Sequence, residues 1–120
     1  MIIDKNNGQQ LDWGVSRKIK EKMCLVVPDY DDALKQPQQS YEYKLPDQRL
    51  IKLGNERFKC AEALFKPELI SSDCESIQRL CYNTINSCAV DLRSELYEQI
   101  VLSGGNTLFD GLAKRLTAEV

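Results

Sequence analysis

The stretch from Val101 to Leu116, VLSGGNTLFDGLAKRL, constrains this chain's fold more than any other: an apolar run breaks at a double glycine and restarts with helical periodicity. Ile100, Val101 and Leu102 are β-prone and predict a short buried strand. Gly104 and Gly105 then remove the Cβ atoms that would block a positive φ or a close approach by a ligand. Asn106, Thr107 and Asp110 are each able to cap the helix that follows. Leu112, Leu116 and Val120 recur every four residues and give that helix one core-facing stripe. Its free N–H groups point back toward the glycines, where an anion such as a phosphate gains ~0.3–1 kcal/mol. Strand-turn-helix units that bind nothing share the pattern, so spacing alone does not settle whether this turn holds a ligand.

The rest of the chain divides into short amphipathic pieces. Residues 1–10 are polar, contain a glycine and lack periodicity, so a loose end is expected there, ahead of one domain over residues 11–120. Asp12 can cap a helix with Val15, Ile19 and Met23 as its stripe, leaving Arg17 and Glu21 able to pair one turn apart for ~0.2–0.5 kcal/mol. Asp29 to Leu34 predicts a short acidic helical turn, and residues 36–40 a polar loop. Tyr41, Tyr43 and Leu45 alternate with polar residues, Pro46-Asp47 turns the chain, and Leu50 to Leu53 returns as the second strand of a hairpin. Gly54 to Phe58 and Ala61 to Phe65 read as helical turns that pack aromatic rings inward.

Composition bounds the function. A chain of 120 residues can bury about two-thirds of its unfolded surface as one domain. A net charge of −2 with dispersed lysines leaves no basic face for nucleic acid. No apolar run approaches the ~20 residues that span a bilayer, and the start at Met1 lacks the pattern of a secretory signal, so a cytosolic or nuclear setting is expected. Five cysteines without a C-x-x-C pair argue against a disulfide framework and a zinc ribbon, and reduced thiols are expected. Cys74, Cys81 and Cys88 are spaced by seven, which on a helix returns to the face of Ile77, Leu80, Thr84 and Ile85; small thiols packed in a core are expected rather than a metal site.

The literal strings go further. LSGGNTLF at Leu102 to Phe109 closely resembles the adenosine-binding turn of the actin family. KIKEKMC at Lys18 to Cys24, YKLPDQRLIKLGNERFKCAEALFKP at Tyr43 to Pro67, and VDLRSELY at Val90 to Tyr97 are similar to further family segments, in family order with nearly family spacing. The resemblance covers roughly Leu11 to Val120 and implies an α/β, or as a fragment α+β, piece of an actin-like ATPase fold. About four helices, one β-hairpin and a strand-GlyGly-helix turn are expected. Actin chains are considerably longer and hold ATP with its divalent cation between two halves, and this chain resembles a piece of one half.

The resemblance carries a set of adenosine-site residues. It implies that Lys20 and Glu21 lie beside adenine and ribose, where a carboxylate can hold a sugar hydroxyl and a lysine stem can cover the base. It further implies that Gly104, Gly105, Asn106, Leu108 and Phe109 form the turn, with Leu108 and Phe109 against the base. ATP or ADP is thus the implied cofactor. Nothing in the chain matches the family's two phosphate hairpins, its cation-associated aspartate, or its hydrolytic glutamine and histidine; histidine is absent altogether. No catalytic residue and no metal ligand are therefore named, and hydrolysis by the chain alone is not expected.

Two departures from the family carry consequences. Gln48 stands where the family has glycine, which favours a type I turn or a longer loop over a turn needing φ > 0. Ser71, Ser72 and Asp73 make polar the tip of a loop that reaches across the filament axis in actins; a desolvated carboxylate there costs several kcal/mol unless paired, which argues against ordinary filament assembly. Missing neighbours would leave the stripes of Val15-Ile19-Met23 and Leu112-Leu116 partly exposed, favouring self-association or docking onto a larger chain. Three readings follow: an actin-like cytoskeletal protein with the adenosine side of an ATP site, a non-enzymatic module that binds actin, actin regulators or a chromatin-associated assembly, or a fragment that does not fold alone.

Overall fold

The computed structural model describes residues 11–120, so the expected loose end at 1–10 lies outside the described residues. Asp12 starts helix α1 (Trp13–Met23) as anticipated, its carboxylate accepting from the Gly14 N–H at 2.9 Å. Asp29 does the same for α2 (Tyr30–Lys35), accepting from Asp32 N–H at 2.9 Å. The hairpin follows as β1 (Tyr41–Lys44) and β2 (Leu50–Leu53), antiparallel, with Tyr43 opposite Ile51 and Tyr41 opposite Leu53. Next come α3 (Glu56–Glu62), a 3₁₀ turn at Pro67–Ile70, α4 (Ile77–Asn86), α5 (Val90–Glu98), a second 3₁₀ turn at Gly105–Leu108 and α6 (Leu112–Glu119). The mixed α/β class holds, with six helices among the described residues where about four were expected.

Two apolar clusters carry the fold. Ile19 from α1 packs with Leu45, Ile51 and Leu53, flanked by Val15, Met23 and Tyr43. Strand β2 alternates, Ile51 and Leu53 inward and Leu50 and Lys52 outward, so the hairpin lays one face on α1. The second cluster joins Val26, Ala61 and Phe65 to Leu112 and Leu116 of α6, with Leu64, Ile77, Phe109 and Val120 around it. Phe65 is buried as expected, and Phe58 meets Tyr30 edge to face at 5.8 Å between centroids. Of the stripes expected to be partly exposed, Ile19, Leu112 and Leu116 are buried, because the hairpin and α3 close over them, while Val15 and Met23 are partly buried as expected.

Exposed apolar surface lies elsewhere. Helices α4 and α5 form their own hairpin, held where Arg93 donates to the carbonyls of Cys88 (3.0 Å) and Asn86 (2.7 Å), the orphan carbonyls at the end of α4. Leu80, Tyr82, Val90 and Leu92 remain exposed on it. The described chain is correspondingly long, 57 × 30 × 25 Å, with a radius of gyration of 17.1 Å against about 14 Å for a compact domain of this size.

Three local expectations change. Gln48 adopts φ +73° despite its Cβ, so the hairpin keeps the left-handed turn residue instead of switching turn type. Leu45 and Arg49 close that turn backbone to backbone at 2.8 Å, and Asp47 accepts from the Arg49 N–H and Nε; these contacts hold Gln48 in place. The cysteines spaced by seven do not form a core stripe, since α4 spans only Ile77–Asn86: Cys74 is exposed ahead of it, and Cys88 follows its end. Ile100 to Leu102 forms no ladder among the described residues, and Val101 is 87% exposed.

Candidate functional site

The glycine turn is assembled by a segment that the sequence reading left unassigned. After α1 the chain extends at Cys24, and Leu25 donates to the carbonyl of Arg57 at 3.1 Å while Val26 donates to that of Asp110 at 2.8 Å. Leu25 and Asp110 make an isolated parallel bridge. This short stretch ties α3 on one side to the residues between the glycine turn and α6 on the other.

Gly111 makes the close approach feasible. It is the N-cap of α6 at φ +84°, and a Cβ there would run into the carbonyl oxygen of Val26. The caps expected from Asn106, Thr107 and Asp110 are therefore not used: α6 starts later, after the 3₁₀ turn, and no side chain caps it. Thr107 instead donates its hydroxyl to the Gly104 carbonyl at 2.6 Å, bracing the turn from within. A glycine directly ahead of the Leu112-Leu116 stripe was the available signal for this arrangement.

Most of the site residues converge. Lys20 Nζ lies 3.4 Å from Asn106 Oδ1 and 5.7 Å from the centre of the Phe109 ring, bringing together residues 86 positions apart in the chain. Gly104 takes φ +100° with ψ 164°, a region open only to glycine, and no atom stands within 4 Å of where a Cβ would be on Gly104 or Gly105. Leu108 is 85% exposed beside them. Glu21 follows Lys20 on α1, but its carboxylate accepts from Arg17 Nε at 3.0 Å. Both partners of that pair are more than half exposed, so the pairing is worth only tenths of a kcal/mol and leaves Glu21 free to exchange partners.

The arrangement is an open face with an ammonium, a side-chain amide, a phenyl ring and an exposed leucine around a backbone with room for a ligand. These groups suit the base and sugar of a nucleotide. Among the described residues no three His, Cys, Asp or Glu side chains gather as a metal site would require. A cleft of about 670 Å³ lies elsewhere, at the hairpin turn between Trp13, Pro46 and Arg49, and touches none of the site residues.

One pairing was not read from the sequence. Glu62, fully buried, receives Arg115 Nη2 at 3.0 Å and Nη1 at 3.2 Å, while Arg115 also donates to Val27 O (2.9 Å) and Glu119 Oε1 (2.7 Å). Burial works against the guanidinium charge, but the bonds to Glu119 and Glu62 outweigh it and hold its pKa above the ordinary value. This pair clamps α3 to α6; a glutamate inside the apolar run AEALF was its only trace in sequence.

The helices, the hairpin and the glycine turn together define a mixed α/β fold. Its family follows from comparison with known proteins: the sequence model of the actin family matches residues 6–120. That span is nearly the whole chain, and the chain belongs to the actin family.

Proposed function

We propose that this chain is an actin-like protein of the cytoskeletal machinery that retains the adenosine side of an ATP site and does not hydrolyse ATP by itself. The observation that carries the reading is the approach of Lys20 to Asn106 and Phe109 across the glycine turn. In this reading the Lys20 stem, Leu108 and Phe109 cover the base, Glu21 accepts from a ribose hydroxyl, and Gly104, Gly105 and Asn106 let the backbone approach the ligand. When ATP is bound, its divalent cation supplies the charge neutralisation at the phosphates, and no residue of this chain is assigned to it. The triphosphate charge then rests on groups this chain does not provide, so affinity is weak. Its partners are actin-family subunits and actin-binding proteins, in the cytoplasm or nucleus, without direct nucleic-acid or membrane contact. No helix among the described residues is long and apolar enough to cross a membrane.

A second reading, an interaction module docked on an actin-family chain or a chromatin-associated assembly, draws on the exposure of Val90, Leu92 and Val101. Calorimetric titration with Mg-ATP separates the two, once circular dichroism has established a cooperative thermal transition. Saturable binding that Glu21→Ala weakens by about tenfold or more, the worth of a hydrogen bond to a charged group, supports the adenosine site. A folded chain indifferent to ATP supports the interaction module.

A further inference from the structure

We propose that β1 is the docking edge for a second copy of this chain, the two β1 strands pairing antiparallel about a twofold axis at Tyr43 so that both hairpins join in one sheet. The inference is independent of nucleotide binding and rests on the hydrogen-bond phase of the hairpin. Leu45 donates its N–H to the Arg49 carbonyl at 2.8 Å, and the same register sets Tyr43 opposite Ile51 and Tyr41 opposite Leu53. Backbone groups alternate in direction along an antiparallel strand, so Tyr41, Tyr43 and Leu45 turn theirs toward β2 while Glu42 and Lys44 turn theirs away. Among the described residues the sheet has only these two strands, and no backbone bond from outside the hairpin reaches Glu42 or Lys44. Residues 36–42 and Lys44 are exposed, so the edge is open to a partner strand.

The charges on this edge select the partner and the register. Charged residues on an edge strand ordinarily discourage pairing, and here they do so in every antiparallel register of β1 on itself but one. Glu42 opposite the partner's Glu42, or Lys44 opposite the partner's Lys44, sets like charges directly across the strand pair, which destabilises it. Glu42 opposite the partner's Lys44 sets opposite charges across both symmetry-related pairs, and each pair exchanges both of its outward N–H···O bonds. Within the hairpin Glu42 already lies opposite Lys52, on the face turned away from α1, and Glu42, Lys44 and Lys52 form no ion pair among the described residues. In the joined sheet each Glu42 therefore stands between its own Lys52 and the partner's Lys44, a row of charges alternating in sign. Pro46 has no N–H and ends the ladder just beyond β1, which keeps the contact short. The outer edge of β2 carries Leu50 and Lys52 and lacks this complementarity, so the assembly closes as a dimer.

So short a ladder gives a weak dimer, with a dissociation constant on the order of 0.1–1 mM at low salt. The test is sedimentation equilibrium of the full chain at low salt, up to about 1 mM. A monomer–dimer equilibrium is expected. Glu42→Lys and Lys44→Glu should each weaken it by about tenfold or more, because each variant alone sets like charges across both pairs. An equimolar mixture of the two variants should associate again, since every cross-strand pair in the mixed dimer regains opposite signs. Hydrogen exchange of the unaltered chain supplies a readout that needs no variant: at high concentration the amides of Glu42 and Lys44 gain protection, while that of Tyr43, which faces β2, changes far less. A chain that stays monomeric throughout that range, a dimer indifferent to Glu42→Lys, a variant mixture that does not associate, or a dimer that leaves the Glu42 and Lys44 amides unprotected overturns the proposal.

Discussion

Glu62→Gln removes one charge from the clamp between α3 and α6 while keeping the side chain's size. Glu62 is fully buried and its two oxygens take two guanidinium nitrogens at 3.0 and 3.2 Å. Breaking a buried pair from one side costs about 3–5 kcal/mol, because the other charge stays in place without compensation. Arg115 would not be wholly stranded: it keeps Glu119, which is partly open to water, and the Val27 carbonyl. That places the loss near the lower end, about 3 kcal/mol, a large part of an ordinary domain's 5–15. Thermal unfolding followed by circular dichroism should fall by roughly 10 °C or more. The double variant Glu62→Leu with Arg115→Met should lose only about 1 kcal/mol, chiefly from the orphaned Val27 carbonyl, since a matched apolar pair avoids both desolvation penalties. A single-variant loss under about 1 kcal/mol, or single losses that simply add in the double variant, would refute the clamp.

Other outcomes follow from backbone and cap geometry. Gln48→Gly should leave the fold intact and raise stability by up to about 1 kcal/mol in urea unfolding, because a Cβ at φ +73° costs about that much. Gly111→Ala should destabilise by more than about 2 kcal/mol in the same assay, from the left-handed φ together with the clash against Val26 O, and should weaken the Lys20–Asn106 approach. The Asp29 carboxylate is held below its ordinary pKa, first by the Asp32 N–H. A depressed folded value means its contribution is full above the unfolded pKa of about 4 and is lost as pH falls through the folded one. Asp29→Ala should therefore lower stability at neutral pH and flatten the acid limb of a stability–pH profile.

Local rules legible in the sequence decided much of the fold. Asp12 and Asp29 cap because their side chains reach N–H groups two and three residues away, and the stripes Val15-Ile19-Met23 and Leu112-Leu116-Val120 fix which faces go inward. The hairpin's alternation sets its buried face for the same reason, period against face. The seven-residue cysteine spacing misled because periodicity assumes a helix long enough to contain it, and α4 ends before Cys88.

The strings resembling the actin family named Lys20, Glu21, Gly104, Gly105, Asn106, Leu108 and Phe109 from sequence alone, and with them the family itself. Only the tertiary structure decided which of them meet. The Leu25–Asp110 bridge that carries Lys20 to Asn106, the close packing of Gly111 on Val26, and the pair Glu62–Arg115 all join residues far apart in the chain. A residue's own chemistry and its near neighbours set caps, stripes and turns. A buried charge depends on what the rest of the chain places against it, and no local pattern encodes that.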